Sequence, residues 1–235
     1  SLVLSPALFA PVLRPFAPAG GPVIYDRATL AGLTASHLAL VMLAMVPSTL
    51  IALALAILVT RPAGAEFLPT ARMLANIGQT FPPVAVLALS VPLLGFGTRP
   101  TVLALFLYGL LPIFENALAG LRGVPGSVLL SARAVGMTPR QMLVQVEMPL
   151  ALPLILEGIR ISVVIALSTA TIGSTVAARS LGEVIIAGLA SNNPAFVIQG
   201  GVLTGCIAVL VYDVFGLLIL AARRPAATAR IRSRG

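Results

Sequence analysis

Long uncharged apolar runs alternate with short arginine-bearing connections along this chain, and the runs set its elements. From Ala28 to Thr60 there is no Asp, Glu or Arg. Within it, His37 to Val59 is long enough to cross a hydrocarbon core of about 30 Å, which takes about 20 helical residues. Pro47 lies inside this run and predicts a kink that neighbouring helices tolerate in a membrane. After a polar connection from Arg61 to Arg72, the run from Met73 to Thr98 is interrupted by Asn76, Gly78, Gln79, Thr80, Pro82, Pro83 and Pro92. Pro100 to Gly120 gives a third span, broken at Pro112, and Leu150 to Ala178 a fourth. Arg179 to Asn193 reads as a short surface or re-entrant helix bounded by Gly182 and Pro194, and Ala195 to Ala222 as the last span. At the other end, residues 1–13 are apolar but too short to cross. Two readings of them stay open: the tail of a longer first helix, or a processed terminus. Residues 14–27, with Pro15, Pro18, Gly20, Gly21 and Pro22, read as an irregular loop.

The pattern predicts an all-α integral membrane protein, a polytopic helical bundle of about five core spans after an N-terminal apolar segment. It divides into residues 1–37 (apolar segment and extracytoplasmic loop), 38–222 (membrane domain with a cytoplasmic loop at 121–149) and 223–235 (basic cytoplasmic tail).

The polar-bearing stretch from Leu130 to Pro149 reads as two short helices with a hinge. Val128, Leu129, Ala132 and Val135 stand at helical spacing, and Gly136 is placed to end that helix in the left-handed conformation. Thr138 is placed to cap a second helix, with Pro139 at its first position and Gln141 three residues after the cap, as in a capping box. Pro149 predicts that this second helix ends at Met148, because the residue before a proline is disfavoured in helix.

Composition supports the membrane assignment: 58% of the 235 residues are hydrophobic and only 9% are charged, against about a quarter charged in soluble domains. The net charge of +8 points to nucleic acid at first sight, but the basic residues are scattered between apolar runs. With the Leu130 loop inside, Arg61, Arg72, Arg122, Arg133, Arg140, Arg223, Arg224, Arg230, Arg232 and Arg234 are cytoplasmic, against Arg14, Arg27, Arg99 and Arg179 outside. That bias is the positive-inside rule. Every basic residue is Arg, so the usual phosphate-binding loop, which needs a Lys, is excluded and any ATP is hydrolysed by a partner. Cys206 is the single cysteine and His37 the single histidine, which excludes an internal disulfide and the usual metal clusters.

The loop resembles the cytoplasmic "EAA" loop of permease subunits in bacterial ABC importers. That motif reads Glu-Ala-Ala, three residues, Gly, nine residues, then Ile-any-Leu-Pro. Here Ala132 matches the second Ala, Gly136 the Gly, and Val146-Glu147-Met148-Pro149 the tail, while Leu130 and Ser131 replace the Glu and first Ala. Further segments are similar to permeases of the glycine betaine/choline/carnitine type: Asn76 to Pro82, Leu110-Leu111-Pro112-Ile113, Gly120 to Val124, Pro149 to Pro153 with Gly158-Ile159-Arg160, and Ser168 to Thr171. A Gly-rich run usual in that group is Ala177-Ala178-Arg179-Ser180-Leu181-Gly182 here.

The resemblance implies a bundle of the type I ABC importer permease kind in the bacterial cytoplasmic membrane. Its implied partners are ABC ATPase subunits, a second permease copy or paralogue, and an extracytoplasmic substrate-binding protein, with no nucleic acid. The chain itself needs no cofactor, ATP being bound by the partner subunits. The implied docking residues are Ala132, Arg133, Gly136, Thr138, Pro139, Arg140 and Pro149. Candidate pathway residues are the polar groups at membrane depth, Asn76, Gln79, Thr80, Ser168, Thr169, Thr171 and Asp213; the alternative role is an interhelical hydrogen bond for the six uncharged ones and, for Asp213, pairing with an arginine of another helix. Glu157 and Arg160, three apart on one helix face, read as a structural pair. With no Trp and only Tyr25, Tyr108 and Tyr212, the chain is poorly equipped for the aromatic cage that grips a quaternary ammonium, which suits a low-affinity conduit fed by a binding protein. Other readings are a permease for another small solute such as an amino acid, a stand-alone channel, or an intramembrane enzyme. The last lacks a nucleophile–base pair near His37, and the channel gives no reason for a Gly-hinged loop.

Overall fold

The computed structural model describes residue 3 and residues 5–232, with side chains described as far as Arg223. The arginines after Arg223 in the predicted tail therefore lie outside the described side chains. After short helical turns over residues 6–16, the main helices are α1 (Leu30–Thr60), α2 (Leu68–Thr80), α3 (Pro83–Leu94), α4 (Thr98–Arg122), α5 (Gly126–Ala134), α6 (Pro139–Thr169), α7 (Gly182–Ala190) and α8 (Pro194–Arg232). Four of them, α1, α4, α6 and α8, are long and apolar enough to cross a membrane. The segments Pro62–Thr80 and Pro83–Leu94, bent by 95° at the break, make a fifth if taken as one span. The break falls where Pro82 and Pro83 interrupt the apolar run, since Pro82 holds an extended conformation (φ −60°, ψ 145°).

Helix α4 is the hub, packing against α1, α2, α3 and α6, while α8 packs on α6 and α7. Small side chains let these helices approach closely, as membrane bundles require. Ala52, Ala56, Ala71, Ala75, Ala117 and Ala151 are buried around Ile113 and Phe114. Hydroxyls cross between helices in the same region: Ser48 Oγ donates to the Phe106 carbonyl (3.1 Å) and Ser162 Oγ to that of Gly109 (3.0 Å).

Three sequence expectations are corrected. Pro112, read as breaking the third span, lies inside a continuous helix, as Pro47 does. The helix from Pro139 does not stop at Met148; it runs on to Thr169 through a π turn at Leu143–Glu147. There the Met148 N–H donates to the Leu143 carbonyl five residues back. A π turn is wider than an α turn, so the ring and missing N–H of Pro149 are absorbed in one irregularity. Lastly, the fourth span ends at Thr169 instead of Ala178 and folds back through a 3-10 turn at Ile172–Val176. Ser180 holds this return, donating to the Ala170 carbonyl (3.2 Å) and accepting from the Gly182 N–H (3.0 Å).

At Gly182 the two backbones touch: a Cβ would lie 1.9 Å from the Thr171 carbonyl oxygen. Gly182→Ala is expected to cost about 1–3 kcal/mol, as overpacking against a backbone atom does. Thermal unfolding should show a clear fall in the midpoint, whereas the control Gly201→Ala, whose Cβ would meet nothing within 4 Å inside a helix, should leave the midpoint unchanged or slightly raised.

The N-terminal segment is strapped across α7 and α8. Asn193 Nδ2 donates to the Pro22 carbonyl (2.8 Å) and Gln199 Nε2 to that of Val23 (2.6 Å). The Tyr25 hydroxyl donates to Glu183 Oε1 (2.7 Å). Burial, and then the bond to the Glu183 carboxylate, push the Tyr25 phenol up to about 12.

Candidate functional site

The loop between α4 and α6 is built by two helix-end devices. At the end of α5, Gly136 takes φ +81°. The Met137 N–H reaches the Ala132 carbonyl (3.1 Å) and the Gly136 N–H that of Arg133 (2.9 Å). These are the paired bonds of a Schellman motif, which satisfies carbonyls a helix otherwise leaves open. Two residues later the capping box forms in full: the Gln141 N–H donates to Thr138 Oγ1 (3.3 Å) and the Thr138 N–H to Gln141 Oε1 (2.8 Å). Pro139 sits at the first helical position, where its missing N–H leaves nothing unsatisfied.

This helix–turn–helix projects side chains the chain itself does not cover. Ala132 and Met142 are buried, while Leu130, Val135 and Val144 are exposed, as are Arg133, Gly136, Thr138, Pro139, Arg140 and Pro149. Exposed apolar residues beside two arginines form a surface suited to a protein partner.

Sequence reasoning missed how this loop is anchored. Glu147, in the π turn, is buried and forms an ion pair with Arg61 at the end of α1; Arg61 Nη1 lies 3.0 Å from Glu147 Oε1 and Nη2 bonds Oε2. The bond to the carboxylate holds the Arg61 guanidinium even more firmly protonated than usual. The π turn and the pair together tie the loop to α1. Nothing local signals the pair, because its members are 86 positions apart.

The polar pathway candidates fall in separate places. Asn76, Gln79 and Thr80 lie exposed at the end of α2 beside the 95° break. Gln79 Nε2 donates to the Tyr108 carbonyl on α4 (3.0 Å), and Thr80 Oγ1 to the Ile77 carbonyl (2.7 Å). Ser168 is exposed, with Thr169 and Thr171 half-buried at and just past the end of α6. Ser168 Oγ is 3.5 Å from the Val164 carbonyl and Thr171 Oγ1 2.7 Å from that of Ser168. Asn76 and Thr169 make no side-chain hydrogen bond among the described residues.

Asp213 belongs to neither group. It lines an open cavity of about 720 Å³ between α6 and α8, together with Glu157, Arg160, Tyr212 and Arg223. Arg160 pairs with Glu157 (3.1 Å), as its helical spacing predicts, and its guanidinium also stacks on Tyr212, 3.2 Å from the ring centroid.

Comparisons with known proteins bear on the family and the fold. The family model described as "Binding-protein-dependent transport system inner membrane component" matches residues 52–226. The osmoprotectant import permease protein OsmY of Salmonella typhimurium is 41% identical over 174 residues, which is 74% of each chain. The choline transport system permease protein OpuBB of Bacillus subtilis is 36% identical over 193 residues, 82% of this chain and 84% of that one. The carnitine transport permease protein OpuCD of Listeria monocytogenes is 46% identical over 138 residues, 58% of this chain and 62% of that one. Among solved structures, an inward-facing MetNI methionine ABC transporter aligns with a TM-score of 0.71 at 22% identity, over 80% of this chain and 93% of that one. An amino acid ABC transporter solved with histidines aligns at 0.64 and 19%, over 94% and 98%. At such identities these two give the fold alone, that of a type I ABC importer permease.

Proposed function

The chain belongs to the family of binding-protein-dependent transport system inner membrane components, and from that premise we propose that it carries a small quaternary-ammonium osmoprotectant, glycine betaine, choline or carnitine, across the cytoplasmic membrane. It is a multi-pass transport subunit of the inner membrane rather than an enzyme, and such a subunit works with a separate ATPase and a binding protein. The observation that carries the substrate reading is the identity to the osmoprotectant and choline permeases over most of their lengths.

The work is divided among subunits. ATPase subunits bind and hydrolyse ATP, so this chain needs no cofactor. They dock on the exposed surface around Gly136, using Arg133, Thr138, Pro139, Arg140 and Pro149, with Ala132 packed beneath it. Motion there passes to the spans because α6 is continuous from Pro139 to Thr169, so the docking loop and a membrane helix move together. The Arg61–Glu147 pair carries the same motion to α1. ATP binding then shifts the population between two arrangements of the bundle, each open to one side. The bundle dimerises with a second copy or a paralogue, which covers the long apolar face α8 leaves open, and the binding protein delivers substrate from outside.

Asn76, Gln79 and Thr80 line the pathway at the broken span, where irregular backbone and uncharged polar groups suit a solute that is neutral overall or singly positive. Replacing all three by Ala is expected to lower the transport rate several-fold and leave the binding protein's affinity unchanged. Radiolabelled uptake by the reconstituted complex, with betaine, choline and an amino acid as competitors, tests the substrate class. Competition by betaine or choline supports it. Competition by the amino acid alone overturns it and leaves the importer reading standing.

A further inference from the structure

The cavity between α6 and α8 holds charged groups where a bilayer least tolerates them. Arg160 lies nine residues before the end of α6 and thirteen after Glu147, and Asp213 ten before Arg223. By helical rise these are about 14, 20 and 15 Å, so the cluster sits near mid-membrane. Charges at that depth face a water-filled path or another protein chain rather than hydrocarbon. Here they line an open cavity of about 720 Å³, within the range of small-ligand sites.

The arrangement matches a particular ligand chemistry. An aromatic face beside carboxylates is what holds a quaternary ammonium, and Tyr212, Glu157 and Asp213 supply those parts. In this structure the chain's own cation fills the place: the Arg160 guanidinium lies 3.2 Å over the Tyr212 ring and bonds Glu157. The fit is incomplete in two ways. Arg160 Nε is buried without a hydrogen-bond partner, and Asp213 makes no ion pair among the described residues. One donor and one carboxylate are left over, the two groups a zwitterion would satisfy.

We propose that Glu157, Arg160, Tyr212 and Asp213 form a transit subsite for zwitterionic quaternary-ammonium solutes, in which Arg160 holds the cation place until substrate arrives. The substrate's trimethylammonium group takes the Tyr212 face beside Asp213. The displaced Arg160 turns its Nε edge to the substrate carboxylate, and Glu157 stays paired with the guanidinium. No net charge enters, because a zwitterion is neutral. The exchange also keeps binding weak, since substrate must displace an internal cation. Choline, with no carboxylate, uses Tyr212 and Asp213 but not the Arg160 edge, so Arg160 selects for betaine and carnitine over choline. The inference rests on the quaternary-ammonium reading above.

The test uses the assembled complex in nanodiscs, with Cys206→Ala and a reporter Gly216→Cys in the cavity wall. A Cβ at Gly216 would meet nothing within 4 Å, so the reporter fits. Betaine and choline are each expected to slow maleimide labelling of the reporter. Arg160→Gln should weaken protection by betaine relative to choline roughly tenfold or more, the worth of a lost charge-assisted hydrogen bond, while choline protection strengthens because no internal cation is left to displace. Asp213→Asn and Tyr212→Leu should weaken protection by every solute that protects the parent. Should Arg160→Gln fail to assemble, Arg160→Lys, which keeps the charge and loses the planar fork, should weaken betaine protection in its place. A complex that transports betaine yet shows no protection, or a betaine-to-choline protection ratio unchanged by loss of the Arg160 guanidinium, overturns the subsite. A complex that transports neither solute overturns the substrate reading instead.

Discussion

Gly136→Val is expected to cut uptake at least tenfold in protein that still inserts and unfolds at a near-normal temperature. The reason is conformational rather than steric. Gly136 sits at φ +81°, and a Cβ there would meet nothing within 4 Å. An L-residue in the left-handed region costs about 1–2 kcal/mol, and a β-branched one is a true outlier there. Since about 1.4 kcal/mol is a tenfold change in population, valine depletes the geometry in which α5 and the start of α6 stand correctly for a partner. The series should rank Asn mildest, Ala intermediate and Val worst, because Asn tolerates this conformation. ATP-driven uptake by proteoliposomes checks the ranking, with membrane insertion measured in parallel. Normal uptake by the Val variant would remove the loop from the mechanism.

Breaking the Arg61–Glu147 pair is expected to destabilise asymmetrically. The Glu147 side chain is 7% exposed and that of Arg61 29%. Arg61→Ala leaves a carboxylate buried without its partner, at a cost of about 3 kcal/mol. Glu147→Ala leaves a guanidinium that water can reach, at a smaller cost. The double variant should be less damaged than the sum of the two, because neither orphan charge remains. Thermal midpoints of all three, together with ATPase co-purification, measure this. Reduced co-purification in Arg61→Ala is expected, since the pair holds the docking loop to α1. Equal, additive effects would mean that the pair does not act as a unit.

Local signals in the sequence carried the loop. Gly136 and the Thr138-to-Gln141 spacing specify helix ends through bonds within a few residues, so they are visible without the fold. The apolar runs likewise located α1, α4, α6 and α8, because burial in lipid needs length and composition alone. Prolines were harder to read. Pro82 and Pro83 break a span while Pro47 and Pro112 do not, and Pro149 hides in a π turn. The difference lies in what neighbouring helices and backbone register absorb, which no window of sequence contains. The same holds for the charges. Glu157 and Arg160 are three apart on one helix and were legible as a pair. Tyr212 and Asp213 join them only because α8 packs on α6, and Arg61 meets Glu147 across 86 positions.

The most direct test of the account is uptake by proteoliposomes holding this chain with its ATPase, supplied outside with the binding protein and radiolabelled glycine betaine. ATP inside the vesicles should drive accumulation above the external concentration, and omitting ATP, the ATPase or the binding protein should abolish it. Betaine flux that persists down its gradient through this chain alone would contradict the account and make the protein a channel.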